Sequence, residues 1–286
     1  PSPVFSFFSF NFNLPIEGIG PCGYSGAVIQ STATTGPVGS SYTLPPVSLG
    51  PLTGSGSFDG SAQSIANYTG LGATAHANIG TGRPGGNSMF QSIGAATFQD
   101  TLTATSPLVA NLSAGFVRYH FSVDGSLQSL GVPEPGYFGD TYMVLDMQHQ
   151  NGLVHQVLNA TVRRGGIGTI SNRPLPAGWV TSTGSLSGAS TFFSFDFPIN
   201  WGQAWDLKVG LLAWAYGSAD SNFLSTARLS GVSLFDANRQ PVNTFSLSAA
   251  SGTDYLATPV PEPKTWALWL MGLAGLAWLG RRQSAA

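Results

Sequence analysis

Two acidic residues in one Gly- and Pro-rich loop are candidates for acid–base chemistry. Glu134 and Asp140 bracket this loop and could approach each other. A glycosidase needs two carboxylates that face each other across a cleft. Two acids in such a loop are more often only solvated. The Gly-x-Ser-x-Gly string of a serine hydrolase does not occur in the chain. We therefore expect the chain not to be an enzyme, with a β-sandwich hydrolase as the second alternative.

Four histidines offer nitrogen ligands for a metal, and two of them lie close in the sequence. His149 and His155 flank an Asn-Gly turn at residues 151–152, so a hairpin would bring them near each other. Zinc needs three or four converging ligands. The chain has neither a His-x-His nor a His-Glu-x-x-His string. Exposed strand positions are the simpler interpretation, and we expect no metal and no cofactor.

Aspartate and asparagine in turns offer oxygen ligands for calcium. Asp220 and Asn222 form one such pair, and Asp236 and Asn238 form another. Neither stretch has the ligand number or spacing of an EF-hand loop. Such side chains more often hydrogen-bond their own backbone. Asp100 differs, because it shares strand parity with apolar neighbours. An inward carboxylate needs partners, so we expect Asp100 to hold a loop or nearby backbone amides.

Three tryptophans beside turns suggest a site for sugars. Trp179, Trp201 and Trp205 lie in or next to turn segments, whereas Trp214 lies in an apolar strand and is expected in the core. Flat indole rings can stack on the faces of pyranose rings. The alternative is that these rings pack at the rim of the domain. The pattern makes a carbohydrate-binding module the first alternative function.

The C-terminal end combines a Pro-rich linker, an apolar run and a basic pair. The linker, residues 258–265, precedes the run Trp266–Gly280, which has no charged or strongly polar residue. As a helix that rises about 1.5 Å per residue, the run spans roughly 22 Å, short of a hydrocarbon core of roughly 30 Å. The flanking basic residues and the tryptophans of the run, which suit the interface, would narrow this gap. Arg281 and Arg282 predict a cytoplasmic C-terminus, with residues 1–260 outside. The predicted membrane-helix residues are Trp266, Trp269, Leu270, Leu273, Leu276, Trp278 and Gly280.

The tail resembles the PEP-CTERM sorting signal of exported Gram-negative bacterial proteins. That signal is a Pro-Glu-Pro motif, a short apolar helix and a terminal basic cluster, and the matching residues here follow in the same order. The sorting motif comprises Val260, Pro261, Glu262 and Pro263. The resemblance implies processing by an exosortase and an association with exopolysaccharide. The same string at Val132–Pro135 has no apolar run after it, so we expect that copy to be a surface loop.

Charge and cysteine content exclude several classes of protein. The 286 residues include 13 acidic residues against 11 Lys plus Arg, and only 8% are charged. Nucleic-acid binding needs clustered Lys and Arg, so we expect no nucleic-acid partner. The single cysteine, Cys22, cannot form an internal disulfide. Because the chain begins at Pro1 without an initiator Met, either an export signal has been removed or the sequence is a fragment.

Alternation of apolar and polar residues predicts β-strands throughout residues 1–257. In residues 117–123, Val117, Tyr119, Phe121 and Val123 share one face. Phe193, Phe195 and Phe197 alternate with polar residues in the same way. Asp124-Gly125 and Asp236–Asn238 are predicted turns. Residues 33–60, rich in Gly, Ser, Thr and Pro, are expected to be a long loop or an excursion with short strands. Further strands are predicted at 4–12, 26–32, 95–104, 141–148, 153–163, 205–216, 226–235 and 242–249.

These patterns predict an all-β fold, an antiparallel jelly-roll-like β-sandwich followed by one transmembrane helix. We expect an exported domain at 1–257, a linker at 258–265 and a membrane helix with its basic end at 266–286. The protein would be anchored as a precursor in the inner membrane, processed by exosortase, and secreted to the cell surface or extracellular matrix. Its role would be structural or adhesive, with exopolysaccharide as a possible partner.

Overall fold

Strands make up nearly all the regular structure of this computed structural model. It describes residues 4–6, 31–33, 38–49, 56–79, 91–130, 139–150, 155–163, 166, 168–171, 174–175 and 177–256. No helix occurs in these residues. The strands are β1 (Val4–Ser6), β2 (Ser31–Ala33), β3 (Val38–Leu49), β4 (Gly56–Ala66), β5 (Gly70–Ile79), β6 (Gln91–Thr105), β7 (Ala114–Ser129), β8 (Asp140–His149), β9 (His155–Val162), β10 (Thr169–Ser171), β11 (Trp179–Ser182), β12 (Ser185–Phe193), β13 (Phe197–Asn200), β14 (Ala204–Tyr216), β15 (Ala219–Asp236) and β16 (Ser246–Ala249).

Two antiparallel sheets contain most of these strands, which confirms the all-β, antiparallel prediction. The six-stranded sheet has the order β10-β9-β8-β14-β6-β16. The eight-stranded sheet has the order β11-β12-β7-β15-β5-β4-β3, and β13 also pairs with β7. β1 and β2 form a separate antiparallel pair. Strands predicted at 95–104, 141–148 and 205–216 lie inside β6, β8 and β14.

Consecutive strand pairs alternate between the two sheets. In the eight-stranded sheet β5 pairs with β15, and β7 pairs with β12. In the six-stranded sheet β6 pairs with β14, and β8 pairs with β9. A long antiparallel ribbon that begins with β5 and β15 and turns back between β8 and β9 therefore contributes alternately to both sheets.

The inner faces of both sheets supply one apolar core. On β7, Val117, Tyr119, Phe121 and Val123 are each at most 1% exposed, which confirms the predicted alternation. On the facing sheet, Trp205 of β14 donates a hydrogen bond from Nε1 to the Tyr119 hydroxyl at 2.9 Å. Burying a large apolar side chain stabilises the fold by roughly 1.5–3 kcal/mol, so this interior provides most of the driving force.

Long strands replace the loop or short strands expected within residues 33–60. β3 has 12 residues and β4 has 11, so the prediction is wrong about their length. The neighbouring strand β5 shows why such strands are hard to recognise. Its inward side chains include Ala73, Ala75 and Ala77, which are at most 2% exposed. Alanine is a weak strand former, and cross-strand pairing determines the structure here.

Two predicted turns have different outcomes. Asp236–Asn238 is a turn, since the Asp236 carboxylate accepts hydrogen bonds from the backbone amides of Asn238 and Gln240. Asp124-Gly125 is not a turn and lies inside β7. A Cβ atom at Gly125 would lie 2.4 Å from the ring of Phe223, so glycine allows close strand packing there. Asp220 and Asn222 likewise lie on strand β15 instead of in a turn.

Candidate functional site

A buried carboxylate holds the last described segment against the six-stranded sheet. Asp100 of β6 is 1% exposed. Its Oδ1 accepts hydrogen bonds from the backbone amides of Thr101 and Ser251, at 2.8 and 3.1 Å. Its Oδ2 accepts hydrogen bonds from the hydroxyls of Ser251 and Tyr255, at 2.5 and 2.8 Å. The expectation that Asp100 ties down a loop and backbone amides is confirmed. We call this arrangement of Asp100, Ser251 and Tyr255 the clasp.

The clasp joins the sheet to the point where the chain continues into the sorting tail. The chain divides into two compact units, Pro1–Tyr255 and Leu256–Ala286. Tyr255 is 4% exposed, and burial together with the Asp100 charge raises the pKa of its hydroxyl. The hydroxyl therefore stays protonated and remains a hydrogen-bond donor. The clasp thus defines the end of the first unit, just before the Pro-rich linker.

The outer face of the eight-stranded sheet carries a cluster of aromatic and basic side chains. We call it the Arg–Phe face. Its members come from β7, the end of β12, the segment between β12 and β13, the end of β15 and the turn after it. They are Phe116, Arg118, His120, Phe193, Phe195, Asp196, Phe235 and Arg239.

Ion pairs and ring contacts fix the two guanidinium groups of this face. Asp196 accepts hydrogen bonds from Nε and Nη2 of Arg118, at 2.6 and 3.0 Å, and from Nη1 of Arg239, at 2.5 Å. The Arg118 guanidinium carbon lies 4.8 Å from the centre of the Phe235 ring. The corresponding distance from Arg239 to Phe116 is 4.3 Å. Stacking and fork-like pairing therefore hold both groups in place.

A neutral histidine links this cation pair to an exposed ring. His120 packs edge-on to Phe193, with ring centroids 4.6 Å apart, and Nε2 lies 2.7 Å from the Ser233 hydroxyl. Burial, with a smaller contribution from the Arg118 charge, lowers the pKa of His120. Its ring is therefore neutral at pH 7, and the charged groups of the face are Arg118, Arg239 and Asp196.

The exposure of Phe193 and Phe195 corrects the strand predicted over 193–197. β12 ends at Phe193, which pairs with His120, and β13 begins at Phe197, which pairs with Val117. The chain thus advances four residues from Phe193 to Phe197, whereas the paired stretch of β7 advances only three. The one extra residue changes which side chains point inward and which point outward. Phe197 is 5% exposed, whereas Phe193 and Phe195 are 52% and 56% exposed. Because Phe192 and Phe193 are adjacent, the sequence pattern was compatible with an inward position for either ring.

The three tryptophans named as candidates for a sugar platform are buried. Trp179, Trp201 and Trp205 are 5%, 0% and 2% exposed, so the prediction of an exposed platform is wrong. Trp179 stacks near Phe223. A Cβ atom at Gly115 would lie 2.4 Å from Nε1 of Trp201, which shows how tightly that indole is enclosed. Flanking turn residues did not reveal that these rings point inward.

Trp214 is only partly buried, so the expectation that it lies in the core is wrong. Its neighbours on β14, Ala213 and Ala215, are the residues that point inward, and both are 0% exposed. The Trp214 ring packs edge-on to Tyr142, with ring centroids 4.3 Å apart. Its Nε1 donates a hydrogen bond to Oε1 of Gln91 at 3.1 Å. This tryptophan therefore belongs to the outer face of the six-stranded sheet.

His149 belongs to the core and not to an exposed pair. Its Nε2 donates a hydrogen bond to the Pro198 carbonyl at 3.1 Å. Its Nδ1 lies 3.3 Å from the Tyr119 hydroxyl. The backbone of His155 pairs with Met147. Both ring nitrogens of His149 are thus engaged within the protein.

The remaining acid and histidine candidates fall partly inside and partly outside the described residues. Glu134 lies outside the described residues, and Asp140 begins β8. On β5, Nδ1 of His76 contacts Asp220, and Nε2 lies 3.6 Å from the Asp59 carboxylate. Carboxylates thus flank both ring nitrogens. In the part of the chain that the structure describes, no three His, Cys, Asp or Glu side chains are arranged to hold a metal.

A second buried carboxylate lacks the partners that Asp100 has. Asp146 of β8 is 2% exposed and pairs through its backbone with Gly210. Its Oδ1 has no hydrogen-bond partner, and burial raises the pKa of the carboxyl group to about 7. No feature of the sequence around Asp146 signalled this burial, because strand alternation places it on the outer face of its sheet.

The sorting-tail residues, from Val260 to Arg282, all lie outside the described residues. In the described ranges, no helix is long and apolar enough to cross a bilayer. Comparison with curated proteins and with solved structures gave no match. Residues 259–283 match the family model of the PEP-CTERM protein-sorting motif, which confirms the resemblance of the tail. The chain therefore carries a PEP-CTERM sorting signal, which implies an exported, envelope-associated protein sorted through exosortase.

Proposed function

We propose that this protein is a non-enzymatic component of the cell surface or extracellular matrix, with a structural or adhesive role beside exopolysaccharide. Its body would be a jelly-roll-like sandwich, a fold that the alternating strand pairs support. The observation that carries the proposal is the sorting motif at residues 259–283. It follows the clasped end of a compact unit, so a folded domain and a processing signal lie next to each other in the chain.

Each part of the tail has a separate role in this proposal. Pro261, Glu262 and Pro263 form the element that exosortase recognises. The run Trp266–Gly280 is a helix that anchors the precursor in the inner membrane, and Arg281 with Arg282 keeps the C-terminus in the cytoplasm. Cleavage would then release the domain from its anchor.

Deletion of residues 261–286 tests this proposal in the native host. We expect the deleted form to lose envelope association and the processed product, because recognition motif and anchor are removed together. Unchanged localisation and processing would contradict the proposal. The chain offers a matched control, since Val132–Pro135 has the same four residues as Val260–Pro263. Glu262→Ala should reduce processing, and Glu134→Ala should leave it unchanged.

Carbohydrate binding is the second candidate function. The buried tryptophans no longer support it, but the exposed rings of Phe193 and Phe195 do. They lie beside guanidinium and imidazole groups that can hydrogen-bond to sugar hydroxyls or carboxylates. Titration with glycans is the direct test, and the chemistry of the Arg–Phe face determines which glycan to choose.

A further inference from the structure

We propose that the Arg–Phe face binds carboxylate-bearing sugars, such as the uronic acid units of an acidic polysaccharide. This inference rests on the proposed role beside exopolysaccharide and identifies the chemical class that would be recognised. An acidic glycan is the occupant that three features of this face favour. These features are its charge, its ordered guanidinium groups and the exposed rings next to them.

Charge on this face favours an anion. Two guanidinium groups share the single carboxylate of Asp196, and His120 is neutral, so the cluster has one net positive charge. The Asp196 side chain is only 10% exposed, whereas those of Arg118 and Arg239 are 37% and 59% exposed. The positive groups are therefore more accessible to solvent than the negative group is.

The geometry of the guanidinium groups favours a carboxylate over a less structured anion. Arg118 and Arg239 are held by Asp196 from one side and by phenylalanine rings from below. Asp196 takes Nε and Nη2 of Arg118 but only Nη1 of Arg239, so the fork of Nε and Nη2 on Arg239 can still pair with a second carboxylate. Because both groups are already ordered, binding costs less side-chain entropy than it would at a flexible lysine.

Exposed aromatic surface next to the charge favours a sugar ring. Phe193 and Phe195 are more than half exposed, and Phe193 contacts His120, two residues along β7 from Arg118. A saccharide has an apolar ring face as well as polar edges. Its carboxylate would pair with guanidinium while the ring face covers a phenylalanine.

Calorimetric titration of the full chain in mild detergent tests this site with oligogalacturonate as the probe. The methyl ester of the same oligomer is the comparison, because it keeps the sugar rings and removes the negative charge. We expect saturable, salt-sensitive binding of the acid and much weaker binding of the ester. Arg239→Gln should weaken binding about tenfold, the equivalent of one charge-assisted hydrogen bond. Replacing Phe193 and Phe195 together by serine should also weaken it.

Arg163→Gln is the matched control, because it removes the same charge from an exposed arginine at the end of β9 in the other sheet. It should bind oligogalacturonate like the unchanged chain. Equal loss in both arginine variants, or absence of binding, would overturn the proposal. So would equal binding of poly-glutamate, which would indicate an acidic protein segment as the partner. Arg239→Gln should leave processing of the tail intact, so failure of this site and failure of the sorting proposal give different results.

Discussion

Two aspartates in the six-stranded sheet are almost equally buried but have opposite surroundings. Asp100 and Asp146 are 1% and 2% exposed, and both lie on strands that pair with β14. Asp100 accepts four hydrogen bonds, whereas Oδ1 of Asp146 accepts none. Burial alone penalises a carboxylate, and hydrogen bonds offset that penalty. The first aspartate therefore stabilises the fold, and the second destabilises it when ionised.

The largest effect is expected from Asp100→Ala. This change leaves two hydroxyls and two backbone amides without their acceptor, and we expect the free energy of unfolding to fall by about 5 kcal/mol. Urea unfolding measures the loss. Limited proteolysis should also show new cleavage within residues 250–256, because the clasp no longer holds them. The Asp100→Asn variant, which keeps the shape of the side chain, should lose less stability.

Asp196→Ala is the control for the clasp. This carboxylate also accepts several hydrogen bonds, but it lies on the Arg–Phe face, away from residues 250–256. It should leave the protection of that segment unchanged. New cleavage there in the Asp196 variant, or none in the Asp100 variant, would contradict the role given to the clasp.

Asp146→Asn is expected to raise the free energy of unfolding, by less than Asp100→Ala lowers it. The pKa of Asp146 is about 7 in the folded chain, against an ordinary value of 3.8. The folded state therefore binds this proton more tightly than the unfolded state. Its contribution to stability is fully present below about pH 4 and is lost as the pH rises to about 7. At about 1.4 kcal/mol per pH unit, the loss is at most about 4 kcal/mol.

Urea unfolding at pH 5 and pH 8 tests the predicted loss of stability with rising pH. The unchanged chain should lose more stability between these pH values than the Asp146→Asn variant, and the substitution should stabilise the protein at pH 8. Asp206→Asn serves as a comparison, because Asp206 accepts a hydrogen bond from Thr101 in the same sheet. A destabilised Asp146→Asn variant at pH 8 would refute the account of this carboxylate.

The smallest effect is expected from Tyr255→Phe, which removes one of the four hydrogen bonds to Asp100. Asp100 Oδ2 keeps the Ser251 hydroxyl as a donor, so we expect a loss of about 1–2 kcal/mol. The matching change Tyr142→Phe, on strand β8 of the same sheet, should cost less. Equal losses in urea unfolding would mean that the hydroxyl of Tyr255 contributes nothing specific to the clasp.

Local patterns were sufficient for some of these features. The alternation over residues 117–123 predicted the inward face of β7, and the parity of Asp100 predicted a buried carboxylate with partners. The tail was recognisable because its motif, apolar run and basic end follow in a fixed order. In each case the information lies within a few neighbouring residues.

Features that depend on distant strands were not predictable in this way. The extra residue between Phe193 and Phe197 is visible only once the register with β7 is known. The burial of Trp201 depends on packing against Gly115, and the burial of Asp146 depends on what surrounds the outer face of its sheet. The small inward residues of β5 carry too little apolar signal to indicate a strand.

The mass of the C-terminus tests the central claim most directly. Protein from the native host would be compared with protein from the same host without its exosortase, using intact mass spectrometry. We predict that residues after the Pro-Glu-Pro motif are missing only when exosortase is present. An intact tail in both hosts would contradict sorting through exosortase, and the proposed role beside exopolysaccharide would lose its main support.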